Sequence, residues 1–104
     1  NYARRYSSDG ASDATGTSET TLGGGTGGSH IANNYWYIIN KSAQEKLAIG
    51  EAIWTATGAG NAPSRRELTG KWANTSAQIT SIKIKENGSG GWTTGSTLKV
   101  YGAD

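Results

Sequence analysis

The sequence predicts an all-β protein: an antiparallel β-sandwich of about seven strands behind a Gly/Ser/Thr-rich N-terminal arm. Apolar β-forming residues recur at intervals of roughly a dozen from Ile31 onward, the spacing of a sandwich or barrel. The C-terminal region carries two runs of strict apolar–polar alternation joined by a Gly-rich turn. With 16 Gly, no Phe, Met or Cys, and only 34% hydrophobic residues, the composition suits short strands and loops rather than helices.

Taken in order, residues 1–7 read as a short strand with Tyr2, Arg4 and Tyr6 on one face and Ala3 and Arg5 on the other. From Ser8 to Ser29 the residues are almost all small or polar, and Leu22 is the only sizeable aliphatic side chain. Thr20-Thr21-Leu22 could make a short edge strand. Gly23-Gly24-Gly25-Thr26-Gly27-Gly28 is a flexible loop on composition. Residues 1–29 thus form a polar arm with at most two short strands, expected to lie across a neighbouring subunit and to gain order only on assembly. Residues 30–104 form the sandwich core.

Within that core, Tyr35-Trp36-Tyr37-Ile38-Ile39 lies in a strand from Ile31 to Lys41 that reads as central and covered on both faces. Leu47 to Thr57 alternates Leu47, Ile49 and Ile53 against Ala48, Gly50, Ala52 and Trp54, with the aliphatic set expected inward. The two strands pair as a hairpin across Ser42-Ala43-Gln44-Glu45. A helix over Ala43–Ile53 is the competing reading, weakened by Gly50 and the β-branched residues. Residues 58–63 are turn punctuation containing Pro63, the only proline. Arg66, Leu68, Gly70 and Trp72 then share one strand face, and Asn74-Thr75-Ser76 turns the chain. In the closing hairpin Ile82 and Ile84 alternate with Lys83 and Lys85, and Leu98 and Val100 with Thr97, Lys99 and Tyr101. Trp92 stands at the tip. The candidate core is therefore Tyr35, Trp36, Tyr37, Ile38, Ile39, Leu47, Ile49, Ile53, Trp54, Leu68, Trp72, Ile79, Ile82, Ile84, Leu98 and Val100. This is a thin core for 104 residues without disulfides, which points to a subunit of a larger assembly. A first residue of Asn and the lack of any Met imply a processed chain or a fragment.

Chemistry is sparse. His30, the single histidine, lies beside the glycine run and reads as an exposed loop residue; no second His and no Cys support a metal site. No Gly-x-Ser-x-Gly elbow activates a serine, and no Gly-Lys-Ser/Thr follows the glycine run, so a phosphate-binding loop is unsupported. Asp9, Asp13 and Glu19 lack the spacing of a calcium loop. Glu51 falls on the supposed inward face, and an ion pair with Arg65 or Arg66 explains it better than catalysis. Glu51 with Glu67 is the only candidate glycosidase couple, which a carboxylate separation beyond about 10 Å would remove. Net charge is +2 and the pI about 9.0, spread too thinly for a nucleic-acid surface. Arg4-Arg5 and Arg65-Arg66 read as solvated or salt-bridged pairs. No segment has the length of a membrane-spanning helix. We expect no enzyme activity, cofactor, metal, nucleic acid or membrane.

Four aromatic residues remain as candidate interface or glycan contacts: Trp92, Tyr101, Tyr2 and Tyr6. Trp92, flanked by Gly and Thr, either folds over its own hairpin, docks into a neighbouring subunit or stacks on sugar.

Several segments together resemble a known family: Tyr37-Ile38-Ile39-Asn40, Glu45 to Gly50, Thr57 to Glu67, the run Gly70-Lys71-Trp72-Ala73-Asn74-Thr75-Ser76-Ala77-Gln78-Ile79-Thr80-Ser81-Ile82, and Gly95-Ser96-Thr97-Leu98-Lys99-Val100-Tyr101-Gly102. Their order, with the opening residues 1–10, resembles β-sandwich domains in virion proteins of tailed phages, especially marine ones. The resemblance implies a jelly-roll-like module of a tail fibre, head fibre or capsid-decorating protein, often a homotrimer, on the extracellular virion surface. Its partners would be further copies of itself, other virion proteins and, in an adhesin, host-surface glycan. A complete jelly roll has about eight strands, so the first would come from outside this chain or from a neighbouring subunit.

Overall fold

The computed structural model describes residues 1–23, 31–85 and 91–102. Five strands form one sheet: β1 (Tyr2–Ser8), β2 (Ala14–Glu19), β3 (Ile31–Ile39), β4 (Lys46–Thr55) and β5 (Ser64–Trp72). The sheet is open, every pairing is antiparallel, and the spatial order is β2-β1-β5-β4-β3. No described residue is helical, so the Ala43–Ile53 segment resolves as strand.

Two hairpins flank β5. In the first, Asp9 (φ 51°) and Gly10 (φ 77°) turn the chain, with the Ala11 N–H donating to the Ser8 carbonyl at 2.9 Å. Positive φ at both central residues matches the right-handed twist of the strands they join. The strand that follows is Ala14–Glu19, not Thr20-Thr21-Leu22; it contains a bulge, with Ser18 at φ 57°. Leu22 instead lies over Gly70, where an added Cβ would come within 2.6 Å of its methyl. Thus β2, in the polar segment expected to order only on assembly, is held by β1 of the same chain. The second hairpin pairs Ile31↔Thr55 through Ile39↔Leu47 without a break.

The strand periodicity agrees with expectation, but the packed face is the opposite one. Lys46, Ala48, Gly50 and Ala52 of β4 are buried with Leu68 of β5, whereas Leu47, Ile49 and Ile53 are exposed. Small residues on β4 leave room for large neighbours to lie across the sheet. A Cβ at Gly50 would sit 2.6 Å from the Trp36 indole. Trp36, Ile38, Trp54 and Trp72, all on this face by register, are half-buried. Lys46, only 1% exposed, lays its stem along the same face, and its Nζ donates to the Gln44 carbonyl and, at 3.1 Å, to the Asn74 carbonyl. Two backbone carbonyls therefore satisfy a buried cation.

Among the described residues nothing after Trp72 is in a strand, so the two C-terminal strands expected around Ile82–Ile84 and Leu98–Val100 do not form; their connecting turn at 86–90 lies outside the described residues. Alternation favours a strand only when a neighbour pairs with it, and no described strand flanks either run. Of the candidate core, Leu68 is buried and Trp36, Ile38, Trp54, Trp72 and Ile79 are half-buried. Tyr35, Tyr37, Ile39, Leu47, Ile49 and Ile53 are exposed because this one-layer sheet has nothing stacked on that face, and Ile82, Ile84, Leu98 and Val100 are exposed outside the sheet.

Gly50→Ala tests the close approach across the sheet. A glycine in a strand is ordinarily a weak point, yet here the added methyl must displace the indole or the Tyr35 carbonyl. We expect a loss of about 1–3 kcal/mol in chemical denaturation. An unchanged or raised midpoint would show that Trp36 does not rest on Gly50.

Candidate assembly interface

The exposed face divides into an apolar and a charged half. On the apolar half the pairs Tyr37↔Ile49 and Ile39↔Leu47 stand side by side, with Ile31, Tyr35 and Ile53 beyond them. Exposure of these seven residues runs from 41% at Ile53 to 73% at Ile31. Large apolar side chains this exposed and this contiguous on one sheet face are the kind of patch that marks an interaction site. The Tyr35 and Tyr37 rings meet edge to face, 5.9 Å apart at 71°. This contact fixes two aromatic side chains as a rigid platform.

The charged half comes from β5, β1 and β2. Lys71 pairs with Glu45 at 2.8 Å, Arg5 with Asp13 at 3.2 Å, and Arg65 with Glu67 at 3.8 Å. Where the halves meet, a shallow concavity of about 560 Å³ is lined by apolar Tyr37, Ile39, Leu47 and Ile49 and closed by Arg5 and Lys71.

Glu51 sits at the seam. Its partner is not Arg65 or Arg66 but the Tyr35 hydroxyl, which donates to its carboxylate at 2.9 Å. That hydrogen bond, followed by lesser burial and charge effects, holds the Tyr35 phenol above its usual range. Glu67 is directly opposite Glu51 in the β4–β5 register, so the couple is close, at the roughly 5 Å Cβ spacing of opposed residues. Both carboxylates are engaged, by Tyr35 and Arg65, and neither lines the concavity.

The opposite face carries an arginine–aromatic stack. The Arg66 guanidinium lies 5.0 Å from the Tyr6 ring and 5.8 Å from the Trp54 ring, and Arg4 lies 5.5 Å from Tyr6 on its other side. Arg4 is also 3.3 Å from Glu19, and Arg66 Nε donates to Ser8 Oγ at 2.9 Å. Three antiparallel strands bring these groups together. Tyr6 and Tyr2 are therefore half-buried within one chain, away from the exposed apolar face. Trp92 and Tyr101 are exposed at 62% and 84% and lie in neither cluster. His30 falls outside the described residues. Asp9, Asp13 and Glu19 are committed separately: Asp9 accepts the Arg65 N–H at 2.8 Å, and the other two pair with Arg5 and Arg4. Among the described residues no cluster of His, Cys, Asp and Glu is arranged to hold a metal.

A residue whose role sequence reasoning missed is Asn40, at the exit of β3. Its Oδ1 accepts the Ile79 N–H at 2.7 Å, its Nδ2 donates to the Ile79 carbonyl at 2.9 Å, and its own carbonyl accepts from Gln78 Nε2 at 3.3 Å. The side-chain amide thus presents to Ile79 what a neighbouring strand would.

The Tyr35–Glu51 contact makes a pH prediction. A phenol held neutral by a folded-state partner stabilises the fold fully below the ordinary tyrosine value of about 10, and that contribution is lost as pH rises through the raised value. In a tyrosinate absorbance titration Tyr35 should ionise above its usual range, and Glu51→Gln should lower that step. Superimposable curves for the two proteins would disprove the contact.

Compared with protein-family models, curated proteins and solved structures, the chain finds no match in any of the three.

Proposed function

We propose that this chain is a non-enzymatic structural subunit of a tailed-phage virion, from a tail fibre, head fibre or capsid decoration, that assembles as a homotrimer through its exposed sheet face. The observation that carries this reading is the imbalance between the two faces. The hydrophobic residues buried among the described ones are only Ala48, Ala52 and Leu68, while seven large apolar side chains of β3 and β4 face outward. A single sheet with one bare apolar face lacks the second layer that domains of this kind require. In the assembled particle another copy supplies that layer, completing a jelly-roll-like sandwich between subunits. Chemistry has no share in this function: the charged groups near the face serve register and solubility.

A second reading has its own support. Trp92 and Tyr101 are exposed on a segment away from the sheet, the placement of aromatic platforms that stack on sugar rings. On this reading the subunit is a carbohydrate-binding module or adhesin tip that contacts host-surface glycan.

The mass in solution separates them from a free monomer. Sedimentation equilibrium at micromolar concentration should give about three times the chain mass of 10.8 kDa. Ile39→Lys with Ile49→Lys, both at exposed positions, should dissociate it without unfolding the sheet. A wild-type monomer would overturn the assembly reading. Trp92→Ala should leave the mass unchanged; loss of glycan-array or host-cell binding in that variant would establish the adhesin function as well.

A further inference from the structure

Residues 80–85 and 91–102 carry a second set of apolar side chains with no cover of their own. Ile82, Ile84, Leu98 and Val100 are 46–66% exposed, and none lies in a strand. The chain's radius of gyration is 14.9 Å, above the roughly 13 Å of a compact domain of this length. The molecule thus holds two unmatched surfaces: a flat apolar face on β3–β4, and two alternating segments whose apolar rows fit such a face. Their polar rows, Lys83, Lys85 and Lys99, would then point to solvent.

Asn40 ties the start of the first segment to the exit of β3. Its side-chain amide occupies both the N–H and the carbonyl of Ile79, so neither group is free to pair with a strand. β3 is the end strand of the sheet, and its apolar face stays exposed.

We propose that residues 80–85 and 91–102 of one copy dock on the β3–β4 face of another. Ile82 and Ile84, then Leu98 and Val100, cover Tyr37, Ile39, Leu47 and Ile49, with the concavity beside Lys71 and Arg5 receiving the first row. The occupant is a second copy because both halves of the contact are on every chain: each subunit gives one segment and receives one. In the homotrimer proposed above such head-to-tail exchange closes into a ring and leaves no face bare. This inference rests on the assembly reading above but is separable from it, since copies could instead associate face to face.

The native chain has no cysteine, so thiol cross-linking reports only engineered sites. An Ile49→Cys chain and a mass-tagged Ile84→Cys chain are refolded together and treated with a short bismaleimide. A covalent product containing one chain of each kind is the expected result. An assembled protein without that product, in which the double variant Ile49→Cys/Ile84→Cys links only within itself, would overturn exchange while leaving assembly intact. A protein that stays monomeric would overturn both. As a second measurement, Ile82→Ser/Ile84→Ser removes one apolar row at positions exposed in the single chain, so its circular dichroism should match wild type. Its self-association should weaken by roughly a hundredfold. Unchanged self-association would also overturn the proposal.

Discussion

The pairing of β5 with two hairpins at once is the constraint on which everything else hangs. Seven consecutive pairs, from Ser8↔Arg66 to Tyr2↔Trp72, tie β5 to β1, and nine, from Trp54↔Ser64 to Lys46↔Trp72, tie it to β4. A lone two-stranded hairpin is marginal in water, and here two of them gain stability by sharing one central strand. Because side chains alternate with a period of two, that shared register also dictates which residues of all five strands fall on the same face. The arginine–aromatic stack, the Glu51–Glu67 pair and the Tyr37–Ile49 platform are all products of this alignment.

The two faces that result solve different problems. One is finished within the chain, where Ala48, Gly50 and Ala52 provide a floor for indoles and for the Lys46 stem. The other is apolar on β3–β4 and ion-paired on β5 and β1, like the core and rim of a subunit contact. Burial inside one face and readiness on the other are thus coupled. Small residues at the even positions of β4 and branched ones at the odd positions produce both.

Much of the architecture was legible in the residues. The β3–β4 hairpin, the β5 strand with Leu68 facing Trp72's side, and the all-β class follow from alternation and turn chemistry. β2 is absent from that reading because its residues, Ala14 to Glu19, are small and polar, although Asp9-Gly10 ahead of it carries a hairpin signal. The inward face of β4 reads the wrong way round because hydrophobicity is a poor guide where the largest cover comes from neighbouring strands. Trp36 needs a glycine opposite, not a leucine. At the C-terminal end alternation marks residues suited to a sheet, but pattern alone does not say whose sheet. The Tyr35–Glu51 bond and the Asn40 clasp depend on register between residues 16 and 39 positions apart, which no local pattern encodes.

Asn40 and Lys46 also determine how the sheet would bear a load. Tension applied beyond Ile79 reaches it by three routes: through the backbone into β5, through the Asn74 carbonyl to Lys46 on β4, and through the Ile79 amide to Asn40 at the end of β3. A pull that would otherwise unzip β5 one rung at a time is divided among three adjacent strands.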